Sequence, residues 1–223
     1  MCGRFTFNNN HKDVKKIFPI TDITCELSPS YNIAPTQEVL TVIRYEDNNK
    51  LGKLHWGLVP SWAKDLSGAA KLINARSETV AEKPSFKNAF TKRRCLILAD
   101  GFYEWQKTEN TKQPWYFKLP SGGPFAFAGL WEVWKGSEGQ KYNSCTILTT
   151  TASESVRHVH DRMPVILRPD IVNDWLNPDN HDTGRLKEIL VDGRVKELTG
   201  YPVSNKMNSP SFNNPSCIEP LKC

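Results

Sequence analysis

The amino-acid sequence predicts an α+β protein: strongly curved, mainly antiparallel β-sheet forming a barrel-like core, with short helices at its periphery. Three observations lead there. At least eight runs carry the β-branched and aromatic residues, and often the two-residue alternation, of strands. Helical periodicity is confined to a few short stretches. Proline and glycine are scattered as turn punctuation, with no internal repeat, low-complexity tract or linker, so residues 1–223 read as a single domain.

In chain order, a strand-like N-terminal piece is followed by HKDVKKIF. There Val14, Ile17 and Phe18 recur at helical spacing behind asparagines that can cap the first turn. The strand series then runs EVLTVIRYE, KLHWGLVP with Leu54, Trp56 and Leu58 alternating, RRCLILAD, GFYEWQK, PWYFKL, PFAFAGLWEVW, CTILTTTA and MPVILR. So many strands in one chain call for a sheet that curls on itself. Short helices are expected in SFKNAF, IVNDWL and GRLKEILVDG, packed around that sheet.

With 39% hydrophobic and 24% charged residues the chain can bury a sizeable core. No run approaches the roughly 18–20 apolar residues of a membrane span, and no basic segment leads an apolar run at the N-terminus. Neither membrane insertion nor secretion is expected, and the cytoplasm is the predicted compartment. The formal charge of +5 suits a polyanionic partner but falls short of the basic signal of a dedicated nucleic-acid module. Local placement of charge must decide.

Cys2, Cys25, Cys95, Cys145, Cys217 and Cys223 form no CxxC and stand at no zinc-ligand spacing with the five histidines. No disulfide framework, metal or other cofactor is expected. Cys95 and Cys145, inside RRCLILAD and NSCTILTT, read as small buried hydrophobes. Cys2 differs, because it follows the initiator methionine in MCGRF. Removal of Met1 would leave an α-amine and a thiol on adjacent carbons, able to attack one electrophilic carbon in succession.

Four further polar placements lie in apolar or aromatic runs, where a buried group without a partner costs about 1–3 kcal/mol. They are Asn74 in KLINARSE, Glu104 in DGFYEW, His160 with Asp161 in HDRMP, and Asn32 in YNIAP. Each has a plain alternative when taken singly. Asn74 can bond its own backbone in a turn, Glu104 can be the solvent-facing member of an alternating strand, and His160 can be a satisfied core or loop histidine.

Taken together, MCGRF, SYNIAPTQ, WGLVPSWAK, NARSET, SFK, RRCLILADGFYEW, PWYF, AGLWE, TILTTTA, HDRMPVIL and YPVS follow in this order from Cys2 to about Val203. This set closely resembles the SOS-response-associated peptidase (SRAP) family of abasic-site processing proteins, the combination of MCGR, ADGFYEW and HDRMP being its most specific part. The resemblance implies recognition of abasic sites in single-stranded DNA, or at its junction with duplex. It also implies removal of the protein's own Met1 and coupling of Cys2 to the open-chain sugar aldehyde as a thiazolidine. By the same resemblance Glu104 lies beside the Cys2 amine and shuttles its proton, His160 acts on the sugar ring oxygen or hydroxyl, and Asn74 holds the N-terminus and the sugar. A monomer is expected, without membrane partner or cofactor, cytoplasmic and nucleoid-associated when bound to DNA.

The chemistry suits those residues. A terminal amine has a reference pKa near about 7.7–8.0, roughly two units below lysine, so a useful fraction is neutral and can add to an aldehyde. The thiol two bonds away can then close a five-membered ring on the imine carbon. Before closure, the imine acidifies the neighbouring hydrogen, so weak lyase activity is expected.

For DNA contact, Arg4, Arg76 and Arg162 each lie within two residues of a proposed catalytic position, where flanking phosphates would pass. Asn32 joins that binding set, and Trp62 and Pro35 lie in loop-like segments suited to wedging or stacking against bases. The chain reads SWAKD where some SRAP members carry a second tryptophan, and Ala63 weakens or moves any stacking there; Lys64 and Lys83 are candidate compensating phosphate contacts. Two rivals are a thiol peptidase or amidase using Cys2 with His160 or Glu104 as base, and a noncovalent single-strand binder. The second leaves Cys2 and Glu104 without a role.

Overall fold

The computed structural model describes residues 2–109 and 111–221. β1 (Phe5–Phe7) leads into α1 (His11–Ile17), where Asn10 caps the first turn by accepting from the N–H groups of Lys12 and Asp13. After β2 (Asp22–Ile23) and β3 (Ser30–Ile33), β4 (Glu38–Tyr45) and β5 (Asn48–Trp56) form a hairpin. Its tight turn places Glu46 at φ 53°. β6 (Asn74–Arg76) and α2 (Lys87–Lys92) precede β7 (Arg94–Ala99), β8 (Gly101–Lys107) and β9 (Lys112–Lys118). The long strands β10 (Phe125–Lys135) and β11 (Lys141–Thr151) follow, then α3 (Glu154–Arg157), β12 (Arg162–Pro164), β13 (Ile166–Leu167), α4 (Val172–Leu176), α5 (Thr183–Asp192) and β14 (Thr199–Pro202).

The barrel-like core is a closed ring. β5, β4, β7, β10 and β11 are antiparallel neighbours in that order, and β11 returns to β5 in parallel through Ser144↔His55 and Cys145↔Trp56. Closure removes the exposed edges an open sheet would leave. Leu54, Trp56 and Leu58 are all buried, as their alternation predicts, and Cys95 and Cys145 are fully enclosed. Every residue of β7 is buried, because α4 covers its outer side. There the Trp175 indole donates to the Cys95 carbonyl at 3.0 Å, and Arg94 Nε donates to the Trp175 carbonyl at 2.7 Å.

MPVILR, expected as one strand, is divided. β12 pairs with β11 and β13 with β10, and Val165 between them donates to Leu148 and accepts from Ala128. The segment fills the gap where β10 and β11 separate beyond Gly129↔Ile147.

A second antiparallel sheet runs β14–β9–β8–β1–β3. The chain passes from β7 of the barrel to β8 of this sheet through Asp100 alone. The buried Asp100 carboxylate accepts from the Thr6 hydroxyl, the Asn8 backbone N–H and the Asn9 side chain, while its own N–H donates to Thr6 O. Gly101 follows because a Cβ there would stand 2.0 Å from the Tyr116 hydroxyl, which itself hydrogen-bonds Thr6.

Asp100→Ala leaves several of these donors unpaired, and it is expected to lower unfolding stability by about 2–4 kcal/mol, measured by urea denaturation. Asp100→Asn, which keeps an acceptor for part of the set, is expected to lose less.

Candidate functional site

The second sheet places the chain's beginning. β1 lies between β3 and β8, with Phe5 opposite both Ile33 and Phe102, and Tyr103 N donates to Arg4 O at 2.9 Å. Cys2, three residues before Phe5, is therefore drawn inward and is fully buried. Its Sγ lies 3.9 Å from Arg4 O.

Asn74 stands on β6, held by parallel pairing with Ile147 of β11. Its Nδ2 donates to the Cys2 carbonyl at 2.8 Å, and its Oδ1 is buried with no partner among the described residues. The turn reading for Asn74 gives way to a contact 72 residues away in sequence.

Glu104 stands on β8, opposite Trp115 of β9, and is only 1% exposed. The alternating-strand reading placed it toward solvent; instead it faces inward beside Cys2. Burial pushes its carboxyl up to about 7. The Cys2 thiol is pushed up far more strongly, by burial first and by the Glu104 charge second.

His160 follows α3. Its Nδ1 accepts the Arg162 backbone N–H at 3.0 Å and lies 3.0 Å from an Asp161 carboxylate oxygen. Burial lowers its pKa, which favours the neutral ring. Glu104 and His160 line one cleft of about 410 Å³ together with Trp105, Lys107, Lys112 and Asn208.

The expected DNA contacts divide. Arg76 is exposed on β6, and Trp62 is 65% exposed on the loop after β5, where the Trp134 indole holds the loop by donating to Ala63 O at 2.7 Å. Pro35 is half-buried in the turn leaving β3. Asn32, in contrast, is buried with its amide fully engaged: Nδ2 donates to the carbonyls of Met207, Ser209 and Phe212, and Oδ1 accepts from Arg4 at 2.7 Å. Arg4 also donates to the carbonyls of Met207 and Asn208. Arg162 makes a bidentate ion pair with Glu78 at 2.6 and 2.9 Å and donates to Thr149 O. These three side chains already hold protein partners.

Glu78, Trp105, Asn208, Lys107 and Lys112 were not singled out from the sequence. Glu78 sits within NARSET and the two lysines flank one hairpin, signals that were present; Asn208 lies in a C-terminal segment with no periodic pattern.

Comparison with other proteins places the chain in a family. The sequence profile of the family described as SOS response associated peptidase (SRAP) matches residues 1–210. The chain is 46% identical to the abasic site processing protein YoqW of Bacillus subtilis over 98% of its length and 99% of that protein. It is 32% identical to the abasic site processing protein HMCES of Mus musculus over 86% of its length and 65% of that protein. Among solved structures, a phage-related protein of Bordetella bronchiseptica aligns with a TM-score of 0.74 and 32% identity, covering 92% of this chain and 95% of that one. A protein from Bacteroides thetaiotaomicron, at 23% identity over 86% of this chain and 85% of its own, shares the fold with a TM-score of 0.76. A chain matched by the family profile from Met1 through the Glu104 and His160 positions, and nearly end to end by its bacterial relatives, belongs to the SRAP family.

Proposed function

We propose that this protein processes abasic sites in single-stranded DNA, and at junctions with duplex, by covalent self-attachment through Cys2 once Met1 has been removed. The observation that carries the reading is the convergence of Asn74 and Glu104 on Cys2. With Met1 gone, the amine belongs to a residue whose carbonyl is already held by Asn74 Nδ2, and the buried Asn74 Oδ1 is a ready acceptor for that amine.

The steps balance without a co-reactant. The Cys2 amine adds to the sugar aldehyde carbon to give a carbinolamine. Glu104, with a pKa near 7, accepts a proton from the amine and returns it to the departing hydroxyl, releasing water and leaving an imine. The Cys2 sulfur then adds to the same carbon, its proton passing to nitrogen, and the thiazolidine closes. His160, whose neutral form burial favours, moves a proton at the sugar ring oxygen or hydroxyl during opening.

The thiol's own state favours this order over thiol hydrolysis. A cysteine protease needs a thiolate, stabilised by a lowered pKa, whereas burial and Glu104 both push this thiol the other way. An amine that attacks first does not need the thiolate.

Cys2→Ala retains an amine and is expected to form no denaturant-resistant adduct with abasic oligonucleotide while cleaving the strand faster than wild type, both read on one denaturing gel. An adduct as durable as that of wild type rejects the mechanism.

Wild-type capture should accelerate as pH rises through about 7, where Glu104 becomes the carboxylate that accepts the amine proton. Glu104→Gln should be slower by roughly 10²-fold or more and lack that inflection, measured by single-turnover kinetics.

The same raised pKa means that the folded state binds a proton which the unfolded chain has released between about pH 4.5 and 7. Wild-type stability is therefore expected to fall across that window. Glu104→Gln should be more stable than wild type by about 2–3 kcal/mol above pH 7 and indistinguishable below about pH 4, checked by denaturation at several pH values.

A further inference from the structure

The cleft that begins at Glu104 and His160 continues along the β8–β9 hairpin, and its outer end is cationic. Lys107 and Lys112 are directly opposite one another in the hairpin register, and both are exposed. Neither belongs to an ion pair among the described residues. Like charges facing each other across an antiparallel ladder destabilise it, so this pair works against the hairpin unless an anion lies between them. The charge of Lys107 is also felt at His160, which ties this end of the cleft to the reactive cluster.

Trp105, half-buried, lines the same cleft. Its indole N–H donates to Asn208 Oδ1 at 2.8 Å, so the ring is held in place before any ligand arrives. The cleft's volume of about 410 Å³ is that of a small-ligand site. A cationic pair next to a fixed aromatic face is the arrangement that takes a phosphate and its base together.

Resting on the reading of the protein as one that acts on abasic DNA, we propose that this cleft seats the nucleotide adjoining the captured sugar. Its phosphate bridges Lys107 and Lys112, and its base stacks on Trp105. The strand is thereby fixed on one side of the lesion by contacts indifferent to base identity.

The test measures fluorescence anisotropy of single-stranded oligonucleotides carrying a tetrahydrofuran abasic analogue. The analogue has no aldehyde, so binding is read apart from bond formation; a parallel gel with true abasic sugar reads the covalent reaction on its own. Three oligonucleotides place the analogue internally, at the 5′ end and at the 3′ end. Lys107→Gln/Lys112→Gln is expected to weaken binding of the internal-site oligonucleotide about tenfold and to reduce the log–log salt slope by about 0.7. The weakening should disappear with one of the two terminal-site oligonucleotides, and Lys107→Arg/Lys112→Arg should bind as wild type does. A change of less than about twofold overturns the proposal. So does a loss matched by the control Lys15→Gln/Lys16→Gln on α1, or a loss equal for both terminal-site oligonucleotides, either of which marks diffuse attraction.

Discussion

The site depends on where β1 is pinned. Phe5 stacks edge-on against Trp56 and Phe127, at ring-centroid distances of 5.1 and 5.5 Å, so one side chain joins the second sheet to the barrel core. One residue on, Thr6 is held by Asp100 at the single-residue crossing between the sheets. Three residues of extended chain reach about 10 Å at most, so with Phe5 and Thr6 fixed the region open to Cys2 is small. Cys2, near an end of the chain where order is ordinarily least, is thus held with the definition of a core strand.

The other end of the chain is tied to the same point. Arg4 and Asn32 together hold carbonyls of Met207, Asn208, Ser209 and Phe212. Several belong to or follow a short 3₁₀ helix at Asn205–Asn208, whose last carbonyls have no partner of their own and carry partial negative charge. A guanidinium and an amide answer that need. The consequence reaches the cleft, because Asn208 fixes the Trp105 indole. Arg4 therefore also acts on the cleft through the segment it anchors.

Much of this was legible in the sequence, and the exceptions have physical causes. The long barrel strands carried their signal in apolar runs, and α1 in its spacing and asparagine cap. MPVILR read as one strand because its residues suit a strand; only the divergence of β10 from β11, a tertiary feature, splits its pairing in two. Cys2 stood out by its place behind Met1, and Asn74, Glu104 and His160 because polar residues in apolar surroundings demand partners. The intramolecular contacts of Asn32, Arg4 and Arg162 were harder to read: a charged or amide group beside a reactive residue looks the same in sequence whether or not it also holds a backbone carbonyl or a carboxylate. Distinguishing them requires the C-terminal segment and Glu78 in place, at separations of about 175 and 84 residues.

The burial that holds Cys2 also sets its chemistry. Removing an ionisable group from water penalises its charged form, so one enclosure keeps the thiol protonated and lifts the Glu104 carboxyl into the neutral range. For a turnover hydrolase the first effect is a defect, since the nucleophile is disarmed. For the proposed capture the two effects are complementary. A carboxyl poised near pH 7 can take a proton and return it as the carbinolamine forms and collapses, and a thiol that stays neutral does not compete for the electrophile before the imine exists. The thiol then needs only to lose its proton to a nitrogen two bonds away, where proximity replaces the activation that burial withholds.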